Sequence, residues 1–133
     1  MKRIRTYTAF LICVAAGGAL GSAARLYLLS ALTSSYAWMP TLIVNAAGAL
    51  IIGFVYAHEQ RVHHYAVTFA AIGFCGGFTT LSHFSYQTVE LAQSGMALQA
   101  IANIGLSLLV TLIAAAVGIW IGRVIPFFGG RKV

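Results

Sequence analysis

Four long stretches of this chain contain no Asp, Glu, Lys or Arg, and this restricts its fold more than any other feature. The stretches are residues 6–24, 26–57, 65–89 and 91–122. Only 8% of the 133 residues are charged, whereas 60% are hydrophobic. So few charges cannot cover a soluble domain, and a membrane-spanning helix needs about 20 apolar residues. The chain is therefore predicted to be an all-α integral membrane protein.

Turn signals divide these stretches into four transmembrane helices within a single domain, residues 1–133. The predicted helices are 7–32, 41–57, 66–92 and 97–124. Pro40 is suited to the start of the second helix, because its missing N–H has no helical partner there. The net charge of +6 comes mostly from residues at the ends of the spans, where basic residues set orientation. Nucleic acid is therefore not expected as a partner.

The third span contains an unusual polar and glycine-rich stretch, GFCGGFTTLSHFS at residues 73–85. Its glycine pair, Gly76 and Gly77, and its threonine pair, Thr79 and Thr80, are poor at continuing a helix. Non-helical backbone at membrane depth survives only inside protein or beside a water-filled cavity. Broken membrane helices commonly form ion sites. The stretch predicts a discontinuous third helix with a break that handles an ion.

Polar side chains recur at helical spacing inside two apolar spans. Thr41 and Asn45 share one face of the second helix. Asn45 is suited to an interhelical hydrogen bond, the commoner use, or to donating its amide N–H to an anion. On the fourth helix Asn103, Ser107 and Thr111 are spaced at four residues and form one stripe. We interpret this stripe as a polar track.

Hydroxyl groups and one arginine give two further patterns with open alternatives. Six hydroxyl residues lie between Thr79 and Thr88, which indicates a wet face, although such groups can also bond back to their own helix. His83, in the same stretch, could titrate or could stay neutral as a hydrogen-bonding group. Arg25 ends the first span after a GxxxG pattern. It could reach the membrane surface, anchor packing, or draw an anion into a vestibule.

Taken together, three motifs resemble the Fluc (CrcB) family of fluoride channels. They are GGxxGxxxR at residues 17–25, TLxVNxxG at 41–48 and GFCGGxTTxSxFS at 73–85, of which the third is specific. The resemblance covers nearly the whole chain. It implies an antiparallel dimer of four-helix subunits in the cell membrane, in contact with lipid. Two pores in that dimer would give passive, fluoride-specific efflux that lowers cytoplasmic fluoride.

The same resemblance implies roles for individual residues. A structural Na⁺ would be held by the backbone carbonyls of Gly76 and Thr79. Asn45 would line the pore as an amide donor, and Phe84 would turn the positive edge of its ring towards fluoride. The other residues assigned to the pore are Leu81, Ser107, Thr111, Thr80 and Ser82. Arg25 and Thr41 are assigned to the vestibule or to packing.

The chain departs from the family pattern at three positions. Leu81 stands where the family has the first of two phenylalanines. Because leucine has no ring quadrupole, we expect this position to favour fluoride less than phenylalanine would. Asn103 stands where the family often has Tyr or His, and Gln87 where Glu is common.

The distribution of basic residues predicts a single orientation in the membrane. With four spans, the N-terminus, the second loop and the C-terminus share one side, which holds seven of the eight basic residues. These are Lys2, Arg3, Arg5, Arg61, Arg123, Arg131 and Lys132. The bias predicts cytoplasmic termini. An antiparallel homodimer needs both orientations, so we expect a related subunit of opposite bias as the partner, forming a heterodimer.

Two other functions remain as alternatives to a complete channel subunit. Leu81 favours a pore-impaired partner subunit of a heterodimeric fluoride channel. A small proton-coupled four-helix exporter would need an acidic residue within the membrane. The acidic residues are Glu59, in a predicted loop, and Glu90, near the end of the third helix, which argues against an exporter. No nucleophile–base pair or ligand cluster is recognisable, so an enzyme is not expected.

Overall fold

The computed structural model describes residues 2–125. The helices are α1 (Lys2–Ala31), α2 (Met39–His58), α3 (residues 64–78), α4 (Leu81–Gln93) and α5 (Ala97–Val124). Of the basic residues used to predict orientation, Arg131 and Lys132 lie outside the described residues. The side chains of Lys2, Arg3 and Arg5 are likewise outside the description.

Within residues 2–125, four helical spans are long and apolar enough to cross a membrane. They are Thr6–Ala31, Met39–His58, His64–Gln93 and Ala97–Val124, the third consisting of α3 and α4. This confirms the predicted all-α fold with four membrane-spanning helices, and every bound lies within two residues of the sequence-based one. Large apolar side chains such as Ile12 and Leu112 are exposed along the spans, as contact with lipid requires.

The α2 and α5 helices pack closely because small residues let their backbones approach. A Cβ atom on Gly53 would collide with the carbonyl oxygen of Ala115. In the same way, a Cβ atom on Gly118 would collide with the carbonyl oxygen of Leu50. In lipid, helix association depends on such close van der Waals packing, since burying apolar side chains there gains little.

A second glycine contact joins α1 to α3. A Cβ atom on Gly17 would lie 2.8 Å from the backbone nitrogen of Phe74. One on Gly77 would collide with the carbonyl oxygen of Gly18. The part of α3 that makes this contact includes the wide π-helical segment Thr68–Cys75, which the sequence pattern did not predict. The GxxxG surface predicted on the first helix is therefore a contact with the third span.

The third span is interrupted at two residues only. Thr79 (φ −79°, ψ 159°) and Thr80 (φ −148°, ψ 112°) have extended backbone between the end of α3 and the start of α4. The expectation that the glycine pair contributes to the break is wrong, because Gly76 and Gly77 are helical. A helical glycine costs only about 1 kcal/mol relative to alanine. The close approach of Gly77 to Gly18 offsets that cost.

We expect Gly77→Ala to destabilise the fold, because the added methyl group would force α1 and α3 apart. Overpacking of this kind costs about 1–3 kcal/mol. The measurement is the thermal unfolding midpoint of the protein in detergent micelles.

The matched control is Gly105→Ala, on the exposed face of α5, where a Cβ atom would meet nothing within 4 Å. This variant should unfold at or above the wild-type temperature, because alanine is the better helix former. Equal unfolding temperatures for the two variants would contradict the close contact at Gly77.

Candidate functional site

The break in the third span is held by one side chain from α2. Asn45 Oδ1 accepts a hydrogen bond from the Thr80 N–H at 2.8 Å, and Asn45 Nδ2 donates to the Thr80 carbonyl at 3.1 Å. In an unbroken helix the Thr80 N–H would bond to the carbonyl of Gly76. Asn45 thus takes the place of that helical bond and satisfies both backbone groups of Thr80. The second N–H of its amide is left for another acceptor.

Thr80 also starts α4. Its Oγ1 accepts a hydrogen bond from the backbone N–H of His83 at 3.2 Å, which is an N-cap contact, and lies 3.2 Å from Ser82 Oγ. Threonine at this position satisfies a backbone donor that would otherwise lack a partner at membrane depth. The Thr80 side chain is buried, whereas Ser82 and His83 lie on the exposed face of the chain.

The first helix binds the break from the other side. Arg25 Nη1 donates to the carbonyl of Thr79 at 3.2 Å, and Ser22 Oγ donates to that of Gly77 at 3.4 Å. Among the alternatives for Arg25, this contact favours a role in anchoring packing. It also places a guanidinium charge beside the interruption, one residue from the Asn45 contact.

A cavity of about 130 Å³ lies next to the break and is open on one side. We call it the Asn45 cavity. Its lining comes from α2, α4 and α5 and consists of Asn45, Leu81, Phe84, Ser107, Leu108 and Thr111. Five of these were assigned to the pore from the sequence, and the structure brings them together. Leu81 forms the rim, with 76% of its surface exposed. Thr41, one turn from Asn45, is buried and does not line the cavity.

The polar stripe on α5 joins a chain of hydrogen bonds to α4. Ser107 Oγ donates to Asn103 Oδ1 at 3.3 Å, and Asn103 Nδ2 donates to Thr88 Oγ1 at 2.8 Å. Thr88 Oγ1 in turn donates to the carbonyl of Phe84 at 2.8 Å. Asn103 is only 1% exposed, so it connects the two helices from inside. Ser107 thus belongs both to this network and to the lining of the Asn45 cavity.

Several hydroxyl groups of the third span bond to their own helix. Thr79 Oγ1 donates to the carbonyl of Cys75, and Ser85 Oγ donates to that of Leu81, each at 2.9 Å. With Thr88, these follow the back-bonding alternative. Fewer hydroxyl groups are therefore available to water or an ion than the six counted between Thr79 and Thr88.

Three residues of the site were not predicted from the sequence: Thr88, Leu108 and Ser22. Thr88 follows Phe84 by one helical turn, so its spacing was a usable signal. Leu108 and Ser22 have no comparable spacing signal. Leu108 lines the cavity as one of many leucines on α5, and Ser22 reaches the site only through its hydrogen bond to Gly77 on α3.

The carbonyl oxygens of Gly76 and Thr79 are the kind of ligand that a hard cation prefers, but two of them are too few. That of Gly76 has lost the Thr80 N–H as a partner, and Gly76 lies on the exposed side of the chain. A hard cation takes about six oxygen ligands, so two carbonyls from one chain are too few. The carbonyl of Thr79 already accepts from Arg25, although it has a second lone pair.

We expect Asn45→Leu to destabilise the protein, because it leaves the N–H and carbonyl of Thr80 without their partner in a buried position. The cost of such unsatisfied groups is about 1–3 kcal/mol. A lower thermal unfolding midpoint in micelles and faster hydrogen exchange at the Thr80 amide would show this.

Thr8→Val is the matched control, since it removes an exposed hydroxyl that donates to the carbonyl of Ile4 within α1. Thr8→Val should change the free energy of unfolding by no more than about 0.5 kcal/mol. If Asn45→Leu were no more destabilising than this control, the break would not depend on Asn45.

Comparison with known proteins identifies the family of this chain. The family model described as CrcB-like protein, Camphor Resistance (CrcB), matches residues 12–119. A protein of Hydrogenovibrio crunogenus named fluoride-specific ion channel FluC is 39% identical over 122 residues, covering 85% of this chain and 90% of the relative.

Two further relatives have similar names. The fluoride-specific ion channel FluC of Rhodospirillum rubrum is 42% identical over 120 residues, covering 84% of this chain and 89% of the relative. In Symbiobacterium thermophilum, the protein named fluoride-specific ion channel FluC 2 is 44% identical over 120 residues, covering 86% of this chain and 94% of the relative. Since the family model and these relatives match over most of the chain, it belongs to the CrcB-like protein family.

Proposed function

We propose that this chain is a subunit of a fluoride-specific ion channel, not an enzyme, and that it gives passive fluoride efflux from the cytoplasm. The observation that carries this function is the convergence of Asn45, Phe84, Ser107 and Thr111 on one cavity at the break. The names of the relatives support the choice of ion.

The chemistry of the Asn45 cavity suits a small, strongly hydrated anion. A pore for such an ion must replace its water with hydrogen-bond donors. Asn45 retains one amide N–H after its bond to the Thr80 carbonyl. The hydroxyl hydrogens of Ser107 and Thr111 now bond within α5, and each would have to rotate away from that bond to donate to an anion. The ring edge of Phe84 carries partial positive charge. The guanidinium of Arg25, held at Thr79, adds to the positive potential near the break.

The pore needs a second chain. The Asn45 cavity is open at Leu81, so one subunit does not enclose a path for an ion. An antiparallel dimer would close it and would bring a second pair of Gly76 and Thr79 carbonyls to the first. A structural Na⁺ bound between the two pairs would gain ligands from both chains, which one chain cannot supply.

The partner in that dimer is proposed to be a related subunit of opposite orientation. The basic residues described at one end of the spans, Arg61 and Arg123, belong to the end predicted to be cytoplasmic in the plasma membrane. Leu81 at the rim of the cavity favours the second candidate, a pore-impaired subunit that conducts poorly without its partner. A proton-coupled exporter is disfavoured, because both Glu59 and Glu90 are exposed.

Fluoride efflux from vesicles containing the purified chain, measured with and without the related subunit proposed as its partner, tests the channel. Once an antiparallel pair can form, we expect efflux that follows the fluoride gradient, needs no proton gradient and is unaffected by chloride. Efflux only with a proton gradient would instead identify an exporter. Activity that appears only with a second subunit would identify the pore-impaired partner.

Variants in the Asn45 cavity test which residues contact the ion. Asn45→Ala and Phe84→Ala should reduce fluoride flux, whereas Leu81→Phe should increase it, because the positive edge of a ring at that position would attract the anion. The matched control is Leu112→Phe, on an exposed part of α5 outside the cavity, which should leave flux unchanged. Unchanged flux in all the cavity variants would remove these residues from the pore.

The orientation of the chain tests the heterodimer. When the chain is expressed alone with a reporter fused to its C-terminus, we expect the reporter on the cytoplasmic side only, because of the bias in basic residues. A functional antiparallel homodimer with reporters on both sides of the membrane would contradict the heterodimer. It would not contradict the proposed channel function.

A further inference from the structure

A second polar cavity lies where α2 and α5 end, separate from the Asn45 cavity. It has a volume of about 270 Å³, and we call it the arginine cavity. Its polar lining consists of Tyr56, Glu59, Gln60, Arg61 and Arg123. The two cavities share no lining residue, so fluoride permeation through the first does not explain the second.

The arginine cavity contains side-chain donors for which residues 2–125 supply no acceptor. Neither Arg61 nor Arg123 has an ion-pair partner within 4.0 Å among the described residues, although Glu59 lies on the same wall. Two guanidinium groups face one carboxylate, which leaves one net positive charge. Guanidinium forks match the oxygens of phosphate with paired hydrogen bonds. The free donors and the charge therefore favour an anion with several oxygens.

The position of the cavity indicates where that anion comes from. It lies beside the ends of two membrane spans, which end at His58 and Val124. Tyr56 is 60% exposed and lies two residues before the end of α2, and Trp120 is 65% exposed and lies four residues before the end of α5. Exposed aromatic side chains at that level are typical of the membrane–water interface. The cavity therefore opens at the depth of lipid headgroups.

Arginine at the end of a helix also has a simpler role. Basic side chains stabilise the negative C-terminal end of the helix macrodipole, and Arg123 is in the last turn of α5. That role does not require two arginines on one cavity, nor the tyrosine and glutamine that line it with them.

We propose that the arginine cavity binds the phosphate group of an anionic phospholipid, held by Arg61 and Arg123 and completed by donors from Tyr56 and Gln60. The lipid would be retained at the end of α2 and α5 while its acyl chains follow the exposed apolar surface beside Trp120. Binding of this lipid does not depend on fluoride permeation.

Tryptophan quenching by brominated lipids provides the test. The chain has two tryptophans, and Trp38 is buried at the opposite end of α2 with 5% exposure, so a difference between lipids reports mainly on Trp120. The full chain is placed in phosphatidylcholine vesicles with equal small shares of brominated phosphatidylglycerol or brominated phosphatidylcholine. We expect stronger quenching by the anionic lipid. Equal quenching by the two lipids would overturn the proposal.

Substitutions separate a site from general attraction to a negative surface. Arg61→Gln and Arg123→Gln should each reduce the preference for the anionic lipid about fivefold. The matched variants Arg61→Lys and Arg123→Lys keep the charge but lose the paired hydrogen bonds, and they should also weaken the preference. Lysine variants that equal the wild type would overturn the site in favour of unspecific attraction.

Two controls keep the result interpretable. Far-ultraviolet circular dichroism compares the folding of each variant with that of the wild type. If a glutamine variant does not fold, the lipid preference of the corresponding lysine variant decides the test. Sodium phosphate is then compared with sodium chloride at equal ionic strength. Loss of the lipid preference in phosphate but not in chloride supports one phosphate-binding site for which free phosphate and the lipid compete. Equal loss in the two salts would overturn the site in favour of unspecific attraction.

Discussion

The paired hydrogen bonds between Asn45 and Thr80 are the contact on which the interrupted span depends. In the hydrocarbon core no water is present to satisfy a backbone group that leaves a helix. Thr79 and Thr80 are nevertheless extended, and the amide of Asn45 supplies both an acceptor and a donor to Thr80. The same contact fixes α2 beside the break. The residues that line the Asn45 cavity are therefore positioned by the interaction that makes the break possible.

Close backbone packing holds this arrangement in place. Gly17 and Gly77 bring α1 against α3, while Gly53 and Gly118 bring α2 against α5. Each contact puts a backbone carbonyl where a methyl group would otherwise lie. The Arg25 bond to Thr79 can form only because α1 lies so close to the third span. Packing of small residues and satisfaction of polar groups are thus parts of one solution to folding in lipid.

Much of the architecture could be predicted from the sequence, because each spanning segment must carry a long uncharged apolar run. The helical spacing of Asn103, Ser107 and Thr111 predicted one polar stripe, and in the structure all three side chains are hydrogen-bonded, as polar groups in such a span must be. The sequence could not show that the third span breaks at Thr79 and Thr80 alone. Helix propensity is local, whereas the close approach that leaves room only for glycine at Gly77 comes from Gly18, on another helix.

The sequence also left open what individual polar side chains do. Asn45 was compatible with a hydrogen bond between helices or with a donor to an anion, and the structure gives it the first role with one N–H to spare. The π-helical segment Thr68–Cys75, which lies against α1 at Gly17, had no sequence signal. Such features depend on distances between helices, and the spacing of residues along the sequence gives no information on those distances.

The exposed position of Leu81 has a consequence for how such a protein can change over generations. Its side chain is 76% exposed at the rim of the Asn45 cavity, so few internal contacts constrain its size or shape. Exposed positions away from special backbone features usually tolerate exchange with changes of about 0.5 kcal/mol or less. Selection can therefore vary this residue at the rim of the Asn45 cavity while the scaffold that supports the cavity stays intact.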